Sequence, residues 1–396
     1  MFETVEMAPP DAILGLTEAF NKDPNPRKIN LSVGVFQDAD GKTPILQSVK
    51  QAERRLLEEE KSKGYLPING LPDFSRLTQE LVLGSEHDVV TSQRCATLQT
   101  PGGTAALRVA ADLVKCTLPK ARFWCSKPTW PNHPKVFQAA DRQVEYYPYL
   151  DAAGTGLDLD AMLGALGKCS PGDVVLLHAG CHNPTGVDPK PDQWRAIADV
   201  LQERRLLPLV DFAYQGFGLG LEEDAQGVRE ICGRGIDLLV CSSYSKNFGL
   251  YCERVGALTI VATSSSIAQT VLSQAKVCVR VNYSNPPKHG GAIVATVLND
   301  PSLRQLWESE VNGMRDRIHA MRRQFVEAMK QRSTHDFSFI TSQRGMFSYT
   351  GLTPVQVDEL RSRFGIYIVS AGGRVNVAGL TPTNIPVLCD ALVTVL

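Results

Sequence analysis

Residues 206–217 read Leu-Leu-Pro-Leu-Val-Asp-Phe-Ala-Tyr-Gln-Gly-Phe. The run that begins at Leu206 stays apolar until Asp211 closes it, which is how a short buried strand is written. Comparable runs occupy 122–125, 144–147, 173–178, 237–243 and 255–261. Amphipathic stretches such as 105–114 and 192–203 lie between them. Strands that alternate with helical segments argue for an α/β fold with a mainly parallel central sheet.

Farther along, apolar residues recur at Leu303, Leu306, Trp307, Val311, Met314, Ile318, Met321, Phe325 and Met329. Spacings of three and four predict one long helix over 301–332, its single stripe packed on the protein's own core rather than on a coiled-coil partner. Alternation resumes at 337–340, 346–349, 366–369 and 375–377. Those short strands, with residues from the N-terminus, predict a second, smaller domain.

A chain of 396 residues suits one large and one small domain. A hydrophobic fraction of 43% and a charged fraction of 21% belong to a soluble globular protein. Lys plus Arg number 41 against 42 for Asp plus Glu, so no charge excess draws nucleic acid or an anionic membrane. Residues 1–10 carry acids and prolines rather than a basic start and an apolar run, so no secretory signal is expected. No window approaches the roughly 18 apolar residues that span a bilayer. The ten cysteines are scattered, several inside strand-like runs, and read as reduced residues of a cytoplasmic protein.

Chemistry gathers where parallel strands should end, the edge at which open α/β sheets place ligands. Asp211 closes one apolar run, Asn183 follows another after a short turn, and Ser243 closes a third with Lys246 three residues on. Taken singly, each has a plain reading: Asp as a cap, Asn183-Pro-Thr-Gly as a turn, Lys246 as a solvated amine. Ser242-Ser-Tyr-Ser-Lys-Asn-Phe-Gly resists it, because three serines and a glycine surround one lysine and Arg254 follows. Hydroxyls, backbone N–H groups and an arginine are what a phosphate needs. Thr100-Pro-Gly-Gly-Thr-Ala-Ala-Leu-Arg is a second phosphate signal, two glycines leading into a helix at Thr104. It lacks the spacing of a nucleotide-triphosphate loop. Gly216-Phe-Gly-Leu-Gly has its third glycine one place early for a dinucleotide loop, and His178-Ala-Gly-Cys-His182 has metal-like spacing without a second ligand cluster, so no metal is expected.

Several of these stretches stand in a telling order: Tyr65-Leu-Pro-Ile-Asn-Gly, Cys181-His-Asn-Pro-Thr-Gly, Asp211-Phe-Ala-Tyr-Gln-Gly-Phe, Ser243-Tyr-Ser-Lys-Asn-Phe-Gly-Leu-Tyr, Asn282-Tyr-Ser-Asn-Pro-Pro and Arg374-Val-Asn-Val-Ala-Gly. The chain resembles, end to end, the class I pyridoxal-phosphate-dependent aminotransferases of the aspartate and aromatic type, most of all the bacterial-type aspartate enzymes. The resemblance implies a fold-type I transferase: an N-terminal arm and part of a small domain over 1–44, a large cofactor-binding domain over 45–313, and the rest of the small domain over 314–396. It implies pyridoxal 5′-phosphate as cofactor, amino acids and 2-oxo acids as substrates, and a homodimer with shared active sites.

The same resemblance assigns roles. Lys246 bonds the cofactor's aldehyde and later carries the proton between the substrate's Cα and the cofactor's C4′, a task for an amine that titrates low. Asp211, supported by His133, pairs with the pyridine nitrogen; Tyr214 and Asn183 hydrogen-bond the phenolic oxygen; Trp130 lies on the ring face. Gly103, Thr104, Ser243, Ser245 and Arg254 hold the phosphate, with Tyr65 reaching across from the second subunit. Arg374, helped by Asn183, takes the α-carboxylate as a bidentate pair. Arg280 of the second subunit takes the distal carboxylate of aspartate or glutamate, and Gly34 and Trp130 line the substrate pocket.

Ala105, Cys252, Gln37 and Gly64 depart from the family's usual residues without removing a catalytic group. They leave open how well an aromatic side chain is accepted beside a dicarboxylate. The rival readings are an aromatic aminotransferase with dual specificity, a lyase or decarboxylase of the same fold, and a cofactor-binding regulator. The paired Arg280 and Arg374 speak against the lyase, and the regulator would need residues for a DNA-binding domain.

Overall fold

Valine, leucine and cysteine fill the runs that end at His178, Phe212 and Ser243, and these runs form the buried middle of a sheet. The computed structural model describes residues 1–9, 11 and 13–396. Pro10 and Ala12, which belong to the arm expected over 1–44, lie outside the described residues. In chain order the strands are β1 (Ile29–Asn30), β2 (Cys95–Pro101), β3 (Phe123–Lys127), β4 (Val144–Pro148), β5 (Val174–His178), β6 (Leu207–Phe212), β7 (Leu238–Ser243), β8 (Val255–Val261), β9 (Phe347–Tyr349), β10 (Ile366–Tyr367) and β11 (Arg374–Asn376). Two units divide the chain: Pro44–Asp316, and Met1–Thr43 with Arg317–Leu396.

The Pro44–Asp316 unit is built on a seven-stranded sheet in the order β2-β8-β7-β6-β5-β3-β4. β8 is antiparallel to both its neighbours, and every other strand runs the opposite way to it. Side chains alternate across this sheet, as the two-residue period of a strand requires. Leu176, Leu209 and Leu239 enter one buried cluster, with Leu107 and Leu272 from the helices Gly103–Thr117 and Ser265–Asn282. Leu177, Val210 and Val240 enter the other, with Met162, Ile197 and Val228 from the helices Leu159–Leu166, Pro191–Glu203 and Gln226–Cys232. Helices therefore cover both faces, and polar residues are left to the strand ends. All ten cysteines are free thiols, with Cys116 and Cys252 the exposed ones.

In the other unit β1 pairs in parallel with β10, and β9 pairs antiparallel with β11. The long helix runs over Pro301–Lys330. From its C-terminal half comes Arg322, only 1% exposed, whose guanidinium donates to the carbonyls of Ile340 (3.2 Å), Gly345 (2.7 Å) and Phe347 (2.6 Å) and to the Ser348 hydroxyl. The strand expected over 337–340 is instead a 3₁₀ turn over Ser338–Thr341. Phe337 and Ile340, three residues apart, are both buried, and the Asp336 carboxylate accepts from the amide and hydroxyl of Ser338, which bends the chain into a turn. Among the described residues, no helix is long and apolar enough to cross a membrane.

Candidate functional site

Strand direction brings the expected residues of the Pro44–Asp316 unit to one edge of its sheet. Pro101 at the end of β2 lies opposite Val255 at the start of β8, and Ser243 at the end of β7 lies opposite Gly256. His178 pairs with Asp211, and Phe212 with Ser242. Gly103, Arg254, Ser243, Lys246, Tyr214, Asn183 and Trp130 all follow or precede these ends within a few residues.

Asp211 lies near the end of β6. Its Oδ2 lies 3.0 Å from His133 Nε2, and 13% of its side chain is exposed, so one face is open. His133 Nδ1 lies 2.8 Å from Thr129 Oγ1, which is 3.3 Å from His178 Nε2. The backbone N–H of Asn183 donates to His178 Nδ1 at 3.3 Å, and that contact orders the rest. With Nδ1 accepting, the proton of His178 sits on Nε2 and points to Thr129. The Thr129 hydroxyl then donates to His133 Nδ1, and His133 gives its Nε2–H to Asp211. Burial and the neighbouring His133 push His178 down to about 3, so its ring is neutral as the chain of donors needs. Burial opposes ionising Asp211, yet the hydrogen bond from His133 and the basic groups nearby, Lys246 included, hold its carboxyl below the ordinary range.

The spacing His178…His182 therefore belongs to a core network rather than a metal site. His182 bonds Ser126 Oγ at 2.9 Å through Nε2 and Thr185 Oγ1 at 2.8 Å through Nδ1, and its ring stacks on Tyr149 at 3.9 Å. The Asp188 carboxylate accepts from the amides of Cys181 (2.7 Å) and His182 (2.8 Å), fixing the turn that carries Asn183. The glycine run that begins at Gly216 resolves similarly. The amides of Gly216, Gly218 and Leu219 point at the buried Asp224 carboxylate at 2.9, 2.9 and 2.8 Å, so that glycine loop is occupied by its own chain.

Lys246 sits half-buried with Nζ 4.7 Å from the centre of the Tyr214 ring. Among the described residues it forms no ion pair. Burial, helped by Arg254 and opposed by Asp211, brings its amine down to about 8. Tyr214 Oη is 3.5 Å from Asn183 Nδ2. Trp130 meets the His133 ring edge-on at 5.1 Å.

Arg254, Ser243, Ser245 and the start of the helix Gly103–Thr117 form an anion cradle. The helix Gly103–Thr117 opens with Gly103 and Thr104, its N–H groups free to face a ligand. A Cβ on Gly103 would come within 3.1 Å of Ser243 Cβ. Arg254 Nη1 donates to Ser245 Oγ at 3.2 Å and to the Tyr251 carbonyl at 3.0 Å, and the guanidinium has no carboxylate partner among the described residues. A cation bonded only to neutral acceptors, beside two hydroxyls and a helix N-terminus, suits a phosphate dianion. Ala105 takes a half-buried place in the first turn of that helix, and Cys252 is exposed two residues before Arg254.

Two expected residues lie apart from this cluster. Tyr65 is 96% exposed, and Arg280 is exposed with Nη1 2.5 Å from Ser284 Oγ. Two more belong to the other unit. Arg374, only 2% exposed at the start of β11, donates to the Ser32 carbonyl at 2.6 Å and stacks over Phe347 at 4.1 Å. Gly34 follows β1 on a loop held by Asn376, whose Nδ2 donates to the carbonyls of Val33 (2.7 Å) and Val35 (2.8 Å). A Cβ there would approach Phe347 Cζ to 2.7 Å. Thr129 carries no motif of its own, and His178 and His182 read in the sequence only as metal-like spacing. Thr129 lies in Lys127-Pro-Thr-Trp-Pro-Asn-His, and its place four residues before His133 was the available signal.

Residues 26–392 match the family model described as aminotransferase class I and II. The aspartate aminotransferase of Salmonella typhi is 52% identical over 397 residues, covering 100% of both chains. An aromatic-amino-acid aminotransferase of Pseudomonas aeruginosa is 48% identical, covering 100% of this chain and 98% of its own. The structure of the aromatic-amino-acid aminotransferase of Burkholderia pseudomallei, covalently bound to pyridoxal phosphate, superposes with a TM-score of 0.97 at 49% identity, covering 100% of this chain and 99% of that one.

Proposed function

The chain belongs to the class I and II aminotransferases and is a pyridoxal-phosphate-dependent aminotransferase; we propose that it moves the amino group of L-aspartate to 2-oxoglutarate, giving oxaloacetate and L-glutamate. When bound, pyridoxal phosphate supplies an electron-poor ring that takes up the electron pair left as the substrate's Cα–H bond breaks. The donor set fits this group. Arg254, Ser243, Ser245 and the N–H groups at Gly103 and Thr104 match its phosphate, Asp211 matches a protonated pyridine nitrogen, and Lys246 matches its aldehyde.

The observation that carries the reading is Lys246, an amine brought down to about 8 and facing Tyr214. A usable fraction is neutral near neutral pH, so Nζ can take the proton from Cα and return it at C4′. Asp211 keeps the pyridine nitrogen protonated, and the His133–Thr129–His178 chain keeps Asp211 oriented and charged. Tyr214 and Asn183 donate to the phenolic oxygen, and Trp130 covers the ring. Arg374 is the proposed partner of the substrate's α-carboxylate, with Gly34 leaving room beside it. Arg280 is the proposed partner of the distal carboxylate. The two substrates use the site in turn.

The enzyme is proposed to act as a homodimer in which Tyr65 and Arg280 of one protomer serve the site of its partner. Their exposure supports this, as do Val277 (58% exposed) and Val281 (81% exposed) on the helix that carries Arg280. Apolar side chains bared beside a functional arginine mark a surface for a second copy. Free thiols throughout fit a cytoplasmic location. Aromatic amino acids are proposed as secondary substrates, because relatives of similar identity carry both names. An absorbance spectrum tests the preference. The visible band should fall when L-aspartate is added and return with 2-oxoglutarate; a response to phenylalanine alone would transfer the assignment to the aromatic class.

A further inference from the structure

Asn247 follows the cofactor lysine in sequence, is 2% exposed, and has had no role so far. Its Nδ2 donates to the backbone carbonyl of Gln215 at 3.2 Å, and Gln215 follows Tyr214. Its own backbone carbonyl accepts from Trp307 Nε1 at 2.8 Å. Trp307 is fully buried and stacks on Phe248 at 4.5 Å, so the donor that holds Asn247 cannot swing away. The Gln215 amide is anchored in turn by bonds to the carbonyls of Leu81 (2.9 Å) and Leu221 (3.0 Å). The side-chain Oδ1 of Asn247 is buried without a hydrogen-bond partner. A buried acceptor left unpaired is destabilising, so an apolar residue would fill this space better unless the donor on the same amide were needed.

We propose that Asn247 is a positioning residue that sets Lys246 against Tyr214, by clamping the backbone beside the tyrosine to the backbone beside the lysine, with Trp307 holding the clamp. The inference rests on the reading of Lys246 as the residue that bonds pyridoxal phosphate and of Tyr214 as a donor to its phenolic oxygen. Lys246 hangs from a turn, with the Gly249 amide donating to its carbonyl at 3.1 Å, and Tyr214 hangs from the loop after β6. Nothing in the sheet ladder fixes one loop against the other beyond Phe212 and Ser242, where the pairing of β6 with β7 ends. The Asn247 amide supplies that missing tie.

A donor held on the phenolic oxygen favours the deprotonated form of the bound chromophore. Slackening Tyr214 from Lys246 weakens that bias, so the colour change should move to higher pH. The experiment compares wild type, Asn247→Ala, Trp307→Phe and Val228→Ala as holoenzymes. Val228 lies in the buried cluster of Leu177, Val210 and Val240, which contains neither Asn247 nor Trp307, and controls for lost stability alone. In each protein, borohydride trapping and peptide mapping first locate the label, and the visible band is then titrated with pH. Asn247→Ala and Trp307→Phe should each raise the midpoint by about one unit, a tenfold change in proton affinity, while Val228→Ala leaves it in place. Trp307→Phe keeps an aromatic ring beside Phe248 and removes the N–H together with part of the indole, a volume loss for which Val228→Ala controls, so it carries the test if Asn247→Ala does not fold. With Lys246 labelled, an unmoved midpoint in the folded variants overturns the role of Asn247, as does an equal shift in Val228→Ala. Wild-type label on another lysine overturns the Lys246 reading and this inference with it.

Discussion

A side chain on Gly102 would run into the guanidinium of Arg254. Gly102 sits at φ +81° after β2, and Arg254 at φ +53° just before β8, where Pro101 and Val255 are paired. Both residues hold left-handed backbone, which glycine adopts freely and arginine adopts only under constraint. The glycine thus lets the one uncompensated cation of the cradle lie against the N-terminus of the Gly103–Thr117 helix.

Gly102→Ala should therefore displace Arg254 and strain the turn together. Cofactor affinity, measured by titrating the cofactor-free protein with pyridoxal phosphate, should weaken at least about tenfold, or about 1.4 kcal/mol. Unchanged affinity would contradict the cradle.

Asp211→Ala should lower kcat by more than roughly tenfold, over about 1.4 kcal/mol of barrier, with the fold intact by circular dichroism. Thr129→Val should act in the same direction but less, because it removes only the hydroxyl that directs the His133 proton to Asp211. Loss of one such bond to a buried group is about 1–3 kcal/mol. A fully active Thr129→Val enzyme would show that the donor chain does not reach the chemistry.

Lys246 titrates at about 8 in the fold against 10.5 for a free lysine. Between those values the unfolded chain binds more protons than the folded one, so stability rises as pH climbs through this window. Below about 8 the cofactor-free protein carries the full burden of a charged amine in a desolvated place. Lys246→Met should melt higher than wild type near neutral pH, with the gap closing towards about pH 10.5. A gap that does not change with pH would contradict the shift.

How much of this was legible in the sequence differs by residue. Asp211, Asn183 and Lys246 could be placed on one edge because each follows a buried apolar run, and parallel strands end together. The three-four stripe from Leu303 to Met329 gave the long helix for the same reason, one period and one buried face. Phe337-Ser-Phe-Ile340 reads equally as alternation or as an i, i+3 turn, and only the Asp336–Ser338 contacts decide it. The His178–Thr129–His133 chain was illegible because His178 ends β5 while Thr129 and His133 follow β3, so no spacing along the chain records the contact between the two segments. The Asn247–Gln215 tie was hidden in the same way.

Substrate preference should divide the two arginines. Arg280→Ala should remove one partner of the proposed charge-assisted pair, a loss of about 2–5 kcal/mol, so kcat/KM for aspartate should fall by roughly 30-fold or more. Phenylalanine, which has no distal charge, should be spared. Arg374→Ala should harm both substrates alike. Equal losses for both substrates in Arg280→Ala would make that arginine structural.

Reduction with borohydride, followed by peptide mapping, reads the central assignment directly. Holoenzyme treated this way should yield one modified peptide, containing Ser243-Tyr-Ser-Lys246, with the pyridoxyl group on Lys246. Lys246→Ala should bind cofactor without yielding the label and should lose turnover by several orders of magnitude. A pyridoxyl group on any other lysine, or turnover retained in Lys246→Ala, would contradict the assignment of Lys246 as the cofactor-bearing residue.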